Sequence, residues 1–259
     1  RNKVSNNRLP PPYGLRLQRQ KPISFTFDGK RFTGYSGDTI ASALAANNQW
    51  LLSRSFKYHR PRGVLTMAGQ DANTLVQLPS NPNALADVEK ICPDLKVSCQ
   101  NVSGSLQRDR LSWLGYLSRF LPVAFYYKAF FRPKGVWELW ARLIRKQAGL
   151  GRIDESLKPG YYDKEHCFYD VMVIGGGPAG LSAALTAADA GAKVLLVDEN
   201  TELGGSLNYT EFPLDGLTLT VQRQQLMDKV NAHAAIEVKT DAVCNGWFAD
   251  NWLAVITEQ

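Results

Sequence analysis

Three glycines at a characteristic spacing give the strongest chemical signal in the sequence. They follow the apolar run Val171–Ile174 and precede residues 181–190, whose pattern is that of a helix. Such a turn brings the pyrophosphate of a dinucleotide onto backbone N–H groups at the helix start, because glycine has no Cβ to block the approach. The predicted pyrophosphate contacts are Gly175, Gly177, Pro178, Ala179 and Gly180.

An acidic pair stands where the second strand of this β-α-β unit is expected to end. The strand is predicted over residues 193–197, and Asp198 follows it, 23 residues after Gly175. An acid at this distance accepts hydrogen bonds from the adenosine ribose and disfavours a 2′-phosphate, so NAD is preferred over NADP. Glu199 is the alternative for the same role. NAD and FAD sites share this motif, and FAD therefore stays an alternative ligand.

Two later segments extend the predicted dinucleotide site. Gly205 belongs to a Gly-Gly pair that follows the ribose acid, a position at which flavoproteins with two dinucleotide-binding domains commonly pass a loop near the cofactor. Ser206 is expected to hydrogen-bond there. A further strand over residues 236–243 is expected to end beside the adenine, which makes the backbone near Val243 a candidate. For Ser206 and Val243, the alternative interpretation is that these residues only pack within the protein and do not contact the cofactor.

The positive charge of the chain is concentrated near its beginning. The net charge is +6, and residues 1–62 hold twelve Lys and Arg but only Asp28 and Asp38 as acids. A partner protein or a phosphate-bearing cofactor would match such a region, whereas nucleic acid is not predicted because no nucleic-acid-binding motif accompanies the charge. No apolar run approaches the roughly 18–20 residues of a membrane span, and no signal peptide is recognisable. A cytoplasmic chain without membrane contact is therefore expected.

The residues before the glycine turn indicate a separate small domain. Residues 22–35 alternate in polarity around Asp28-Gly29, which predicts a β-hairpin with a type I′ turn. Ser36-Gly37-Asp38 is expected to cap a helix, and residues 74–78 are expected to form a further strand. A hairpin followed by a helix is how a β-grasp domain begins.

The predicted fold class is α/β: an α+β β-grasp domain followed by a Rossmann-type FAD/NAD(P)-binding β-α-β domain that is incomplete at its C-terminus. Aromatic residues between Trp113 and Trp140 suit a helical connector broken at Pro122 and Pro133. Because the chain begins at Arg1 rather than Met, a fragment of a longer protein is expected. The predicted divisions are a basic arm containing prolines (1–21), the β-grasp domain (22–104), the connector (105–165) and the Rossmann domain (166–259).

Several segments resemble the α subunit of heterotetrameric sarcosine oxidase and the related opine dehydrogenase and hydrogen cyanide synthase α-type subunits. The most specific is residues 54–63, which read Arg-Ser-Phe-Lys-Tyr-His-Arg-Pro-Arg-Gly. Further matching segments are residues 12–14, residues 37–44, residues 148–151 and the glycine turn itself. The resemblance implies a subunit of a flavoenzyme that oxidises sarcosine or a similar secondary amine.

The resemblance also implies particular cofactors and partners. In such enzymes the α subunit binds NAD, the β subunit holds the FAD at which the amine is oxidised, and FMN lies near the interface between the two. The implied partners are β, γ and δ subunits, and no residue of this chain is implied to be catalytic.

One variant of the family's β-grasp domain carries a [2Fe–2S] cluster on cysteines spaced C-x4-C-x2-C. Aligned on residues 61–63, those positions are Thr66, Asp71 and Thr74. None supplies a thiolate, so this chain is expected to carry no 2Fe–2S cluster. The four cysteines of the sequence also show no metal-ligand spacing with histidine, and no metal ligand is predicted.

Two other functions stay open. A self-contained FAD- or NAD(P)-dependent oxidoreductase would need a redox disulfide or a complete second dinucleotide domain, and the sequence shows neither. A non-catalytic module that holds a dinucleotide for assembly overlaps with the subunit interpretation, because the bound nucleotide can be structural.

Overall fold

The structure is a computed structural model of the chain. It describes residues 7–11, 13–14, 17–120, 135–147, 153, 155–156, 160–208 and 219–257. The chain divides into two compact units, Arg1–Gly160 and Tyr161–Gln259. Three parts of the sequence analysis lie outside the described residues: Pro12, the helix breaks at Pro122 and Pro133, and residues 148–151.

The first unit begins with the predicted hairpin. Strand β1 (Gln18–Phe27) pairs antiparallel with β2 (Lys30–Ser36). Both turn residues, Asp28 and Gly29, have positive φ, at 47° and 75°. This is the geometry of a type I′ turn and explains the glycine at its second position. The hairpin is confirmed, although β1 begins within the segment assigned to the arm.

Helix α1 (Ile40–Ala46) follows, but its cap differs from the prediction. Thr39 is the N-cap: its hydroxyl accepts from the Ser42 N–H, and the Ser42 hydroxyl accepts from the Thr39 N–H, which together form a capping box. Asp38, which belongs to the predicted cap, instead forms an ion pair with Arg8 at 2.6 Å. The predicted cap is wrong because the Ser42 N–H donates to the Thr39 hydroxyl. The Asp38 carboxylate accepts from the Tyr35 N–H and the Ser42 hydroxyl as well as from Arg8.

Short strands complete the β-grasp domain around one core. They are β3 (Leu51–Arg54), β4 (Pro61–Gly63), β5 (Leu75–Val76), β6 (Ala84–Leu85) and β7 (Lys96–Val97). β7 lies parallel to β1, while β3 pairs antiparallel with β4 and β5 with β6. The strand predicted over residues 74–78 is confirmed only for the two residues of β5. The largest fully buried side chains of this core are Phe25, Ile40, Leu44, Leu52, Val76 and Val97.

Two segments of the aromatic connector are helical, as predicted. A 3₁₀ helix spans Ser112–Phe120, and helix α2 spans Trp137–Gln147. Aromatic side chains are exposed on both, with Tyr116 at 90% and Trp137 at 42% of their surface. Like every other helix in the described part of the chain, these two are not long and apolar enough to cross a membrane.

The second unit contains the predicted β-α-β arrangement. Strand β8 (Val171–Ile174), helix α3 (Pro178–Asp189) and strand β9 (Val194–Val197) follow one another, and helix α4 (Leu219–Ala232) leads to β10 (Ile236–Lys239). The three strands are parallel, in the order β10-β9-β8. Helix α3 begins three residues earlier than predicted, because proline at the first helical position already has a helical φ. The predicted α/β class is confirmed. The core of this unit is formed by Leu181, Ala184, Val194, Leu196 and Val230.

The strand predicted over residues 236–243 is wrong in its length. The chain leaves the parallel sheet after β10, and a separate strand β11 (Ala242–Trp247) pairs antiparallel with β12 (Leu253–Thr257). Asp241 has a φ of 48°, a turn conformation that ends the parallel strand. Val243 therefore lies near the start of an antiparallel hairpin rather than at the end of a parallel strand.

Candidate dinucleotide site

The glycine turn joins β8 to α3 with the close contacts that its sequence predicts. The Gly175 N–H donates to the Val197 carbonyl at 2.7 Å, so the turn begins at the carboxyl end of the parallel sheet. A Cβ at Gly180 would lie 1.8 Å from the Gly175 carbonyl oxygen. Any larger residue at position 180 would therefore push the helix away from the strand, as expected for the third glycine of the motif.

Gly177 leaves open space at the start of α3. It is the N-cap of the helix, and a Cβ at this residue would have no neighbour nearer than the Gly205 Cα at 4.0 Å. Pro178 occupies the first helical position, and the side chain of Ala179 is exposed. The first turn of a helix leaves its N–H groups without helical partners and carries the positive end of the helix dipole. The arrangement therefore fits a pyrophosphate.

Asp198 is buried at the end of β9 and is bonded to the glycine turn. One carboxylate oxygen accepts from the Gly176 N–H. The other accepts from the backbone N–H of Asn200 at 2.7 Å and from its side-chain amide at 2.9 Å. The carboxylate thus helps to order the turn itself, and its contact with a ribose stays a prediction. Glu199, the alternative acid, is exposed.

The Gly-Gly pair lies directly against the glycine turn. The Gly204 N–H donates to the Gly176 carbonyl at 2.7 Å. A Cβ at Gly205 would lie 2.8 Å from the Gly177 Cα. A short 3₁₀ helix starts at Gly205 and exposes Ser206. The structure therefore brings this loop to the expected pyrophosphate position, whereas a hydrogen bond from Ser206 to a ligand stays a prediction.

The first residues of β11 lie beside the acid at the end of β9. The Ala242 N–H donates to the Asp198 carbonyl at 3.0 Å, and the Asp198 N–H donates to the Lys239 carbonyl at 3.0 Å. Val243 is the next residue, and 46% of its surface is exposed. The start of β11 is thus close to the edge at which adenosine is expected, and a contact between Val243 and adenine stays a prediction.

Three residues of this region lie outside the sequence prediction: Gly176, Asn200 and Arg223. A Cβ at Gly176 would lie 2.3 Å from the Leu203 Cδ2, so the middle of the three consecutive glycines is needed for packing. Arg223 of α4 donates to the Glu202 carboxylate at 3.0 Å. The run of three consecutive glycines could have indicated from the sequence that Gly176 is needed. Arg223 gives no local signal, because its contact depends on where α4 crosses the loop.

In the β-grasp domain, the positions aligned with the cluster cysteines form a hydrogen-bonded loop without thiolates. The buried Asp71 carboxylate accepts from the N–H groups of Leu65, Thr66 and Met67 and from the Thr66 hydroxyl, and the Thr74 hydroxyl donates to the Asp71 carbonyl. Burial by itself raises the pKa of Asp71, but these hydrogen bonds outweigh it and lower the pKa to about 2. Among the described residues, no group of three or more His, Cys, Asp or Glu could hold a metal ion.

The basic segment 54–63 is partly buried. Arg54 donates to the carbonyls of Leu106 and His59. The His59 Nδ1 lies 2.5 Å from the Asp109 carboxylate, and these two side chains are 3% and 0% exposed. Arg54 and His59 thus tie the segment to the chain near residue 109, so these two residues are not part of a solvated basic surface.

Most of this chain is similar to sarcosine oxidase α subunits. It is 41% identical to sarcosine oxidase subunit alpha of Rhizobium meliloti (strain 1021) over 253 residues, which covers 96% of this chain and 25% of the relative. It is 34% identical to the corresponding subunit of Corynebacterium sp. (strain P-1) over 192 residues, which covers 74% of this chain and 16% of the relative. The chain is homologous to sarcosine oxidase subunit alpha. The resemblance seen in the sequence is confirmed, and the chain spans a quarter or less of the length of these relatives.

Two family profiles match parts of this α-subunit homologue. Residues 20–102 match the 2Fe-2S iron-sulfur cluster binding domain, and residues 170–241 match the FAD dependent oxidoreductase family. The second match includes the glycine turn, Asp198 and the Gly-Gly pair. Among solved structures, L-proline dehydrogenase from P. horikoshii shares the fold, with 19% identity and a TM-score of 0.56 over 92% of this chain and 37% of that chain.

These matches overturn the cofactor prediction for the α-subunit homologue. An iron–sulfur cluster binding domain is matched where a domain without a cluster was expected, and an FAD family is matched where NAD was preferred. Neither NAD nor interfacial FMN is supported. NAD was the wrong choice because a glycine turn and a ribose acid recognise the ADP part that both dinucleotides share. The cluster expectation was wrong because it rested on three aligned positions alone.

Proposed function

We propose that the second unit binds the ADP part of FAD at the glycine turn. The observation that carries the proposal is the seating of the Gly-Gly pair: Gly204 bonds to Gly176, and Gly205 packs on Gly177. This contact brings a second loop to the open space at the N-terminus of α3, where a dinucleotide pyrophosphate would lie. The match of residues 170–241 to the FAD dependent oxidoreductase family supports FAD as the ligand.

Each group in the site has a distinct task under this proposal. The N–H groups in the first turn of α3 hold the pyrophosphate, and Gly177 leaves room for it. Asp198 orders the turn through Gly176 and accepts from the ribose. The first residues of β11, with Val243, lie beside the adenine. When bound, the flavin would supply an acceptor for two electrons, and the role of this chain is to bind and orient the cofactor.

We further propose that the protein is a subunit of a cytoplasmic, multi-subunit flavoenzyme that oxidises sarcosine or a similar secondary amine. Homology to sarcosine oxidase subunit alpha over 96% of the chain supports this. The partners would be β, γ and δ subunits, with amine oxidation at FAD in a partner subunit. No side chain of this chain is proposed to be catalytic.

Photolabelling locates the nucleotide on this chain rather than on a partner. The full chain, purified with any subunits that accompany it, is irradiated with 2-azido-ADP with and without excess FAD. Label is expected on peptides that contain Asp198 or Val243, and FAD should prevent it. Label found only on other subunits or other peptides would contradict the proposed site.

The substrate class has a separate test. Under anaerobic conditions, sarcosine should bleach the oxidised-flavin absorbance of the purified complex, because the amine reduces the flavin and no oxygen is present to reoxidise it. An unrelated primary amine is the control. Absence of bleaching with sarcosine and with other secondary amines would contradict the proposed reaction and leave the nucleotide site unaffected.

A further inference from the structure

Arg223 lies on the Gly-Gly pair. Its Nη2 donates to the Glu202 carboxylate at 3.0 Å, and its Nε donates to the Leu203 carbonyl at 3.4 Å. A Cβ at Gly204 would lie 2.7 Å from the Arg223 Nε and 3.0 Å from its Cδ. The arginine therefore packs against Gly204, where the φ of 116° also favours glycine. Its side chain is 18% exposed, so solvent screens the ion pair only in part.

The segment that Arg223 holds is the same segment that contacts the glycine turn. Leu203 is buried against Gly176, and the Gly204 N–H donates to the Gly176 carbonyl. Gly205 packs on Gly177, the residue beside the expected pyrophosphate. A continuous set of contacts thus runs from helix α4 through the Gly-Gly pair to the pyrophosphate position.

We infer that Arg223 is a positioning residue of the dinucleotide site, which fixes the Gly-Gly pair against Gly177 and so sets the affinity for the pyrophosphate. The inference rests on the proposed function. A guanidinium suits this task because its planar group donates to a carboxylate and a carbonyl at the same time, whereas a lysine ammonium does not reproduce that geometry. Arg223 itself bonds to neither Asp198 nor β11 but to Glu202 and Leu203, so we expect its effect to fall on the pyrophosphate rather than on the adenosine.

The test measures the binding of ADP, FAD and adenosine to the full chain by calorimetry. In Arg223→Gln, the Kd for ADP and FAD should rise about tenfold, as expected when a charge-assisted hydrogen bond is lost. The Kd for adenosine should not change, because adenosine has no pyrophosphate. Arg223→Lys should lie between Arg223→Gln and the wild type. Lys229→Gln removes the same charge from an exposed position of the same helix and should bind all three ligands like the wild type.

Several results would overturn the inference. Wild-type ADP affinity in Arg223→Gln would do so, and equal weakening of ADP and adenosine would indicate a general structural role. If Arg223→Gln does not fold, Glu202→Gln removes the same ion pair from its more exposed partner and should weaken ADP but not adenosine. Loss of ADP binding in Gly177→Val together with unaffected binding in the Arg223 variants would refute the inference and leave the proposed function standing. Failure of the wild-type chain to bind ADP would refute both.

Discussion

Replacing Gly177 by valine is expected to separate dinucleotide binding from folding. A Cβ at this position would have no neighbour nearer than 4.0 Å, and the φ of −72° and ψ of −178° are extended backbone that valine adopts readily. The folding cost is that of replacing a glycine N-cap, at most about 1 kcal/mol. The new side chain would occupy the space expected for the pyrophosphate. Each lost charge-assisted hydrogen bond is worth about 1.5–3 kcal/mol, so the loss of two weakens ADP binding about a hundredfold or more.

The assay combines ADP titration by calorimetry with thermal unfolding of the full chain. Gly177→Val should melt near the wild type and bind ADP weakly. Gly180→Ala is the contrast: its Cβ would lie 1.8 Å from the Gly175 carbonyl oxygen, and overpacking of this kind costs about 1–3 kcal/mol or more in stability. Ala183→Val enlarges the side chain at an exposed position of α3 and should leave ADP binding unchanged. A folded Gly177→Val with wild-type ADP affinity would refute the placement of the pyrophosphate.

Four further substitutions probe carboxylates with different tasks. Asp71→Asn should lower the free energy of unfolding by roughly 2 kcal/mol at neutral pH, the value of a fall in pKa from 3.8 to about 2. Because the pKa of Asp71 is lower in the folded state than in the unfolded state, the wild type keeps this stability above about pH 4 and loses it as the pH falls towards 2. An acid unfolding curve that is the same in Asp71→Asn and in the wild type would contradict this. Asp109→Asn removes the buried carboxylate that contacts His59 and lies 3.9 Å from the Arg54 Nε, and it should cost about 3–5 kcal/mol in chemical denaturation. A cost within error of zero would contradict these buried contacts. Asp198→Ala should weaken ADP binding and lower the melting temperature together, while Glu199→Ala should change neither. Weaker ADP binding in Glu199→Ala, with unchanged binding in Asp198→Ala, would assign the ribose to Glu199.

Features decided by adjacent residues could be predicted from the sequence. The turn at Asp28-Gly29 follows from the two positive φ angles that a type I′ turn requires. Part of the glycine turn was predictable in the same way, because Gly175 has a φ of 98° and a Cβ at Gly180 would meet the nearby Gly175 carbonyl oxygen. The helix cap was less certain: Asp38 and Thr39 are both good capping residues. Thr39 is the cap, while Asp38 bonds to Arg8, the Tyr35 N–H and the Ser42 hydroxyl.

Features decided by the tertiary fold could not be predicted in this way. The burial of Asp198 and its bond to Gly176 depend on how closely β9 meets the turn. The place of Arg223 depends on the path of α4 across the Gly-Gly pair. The nature of the dinucleotide was also beyond the motif, since the ADP part is common to NAD and FAD and the distinguishing groups bind elsewhere.

Hydrogen exchange of the full chain, with and without saturating ADP, tests the central claim most directly. If the pyrophosphate lies between α3 and the Gly-Gly pair, ADP should slow exchange of the N–H groups in residues 175–181 and 203–206. Exchange in the β1–β2 hairpin should not change. Bound ADP that leaves residues 175–181 and 203–206 unprotected would contradict the account.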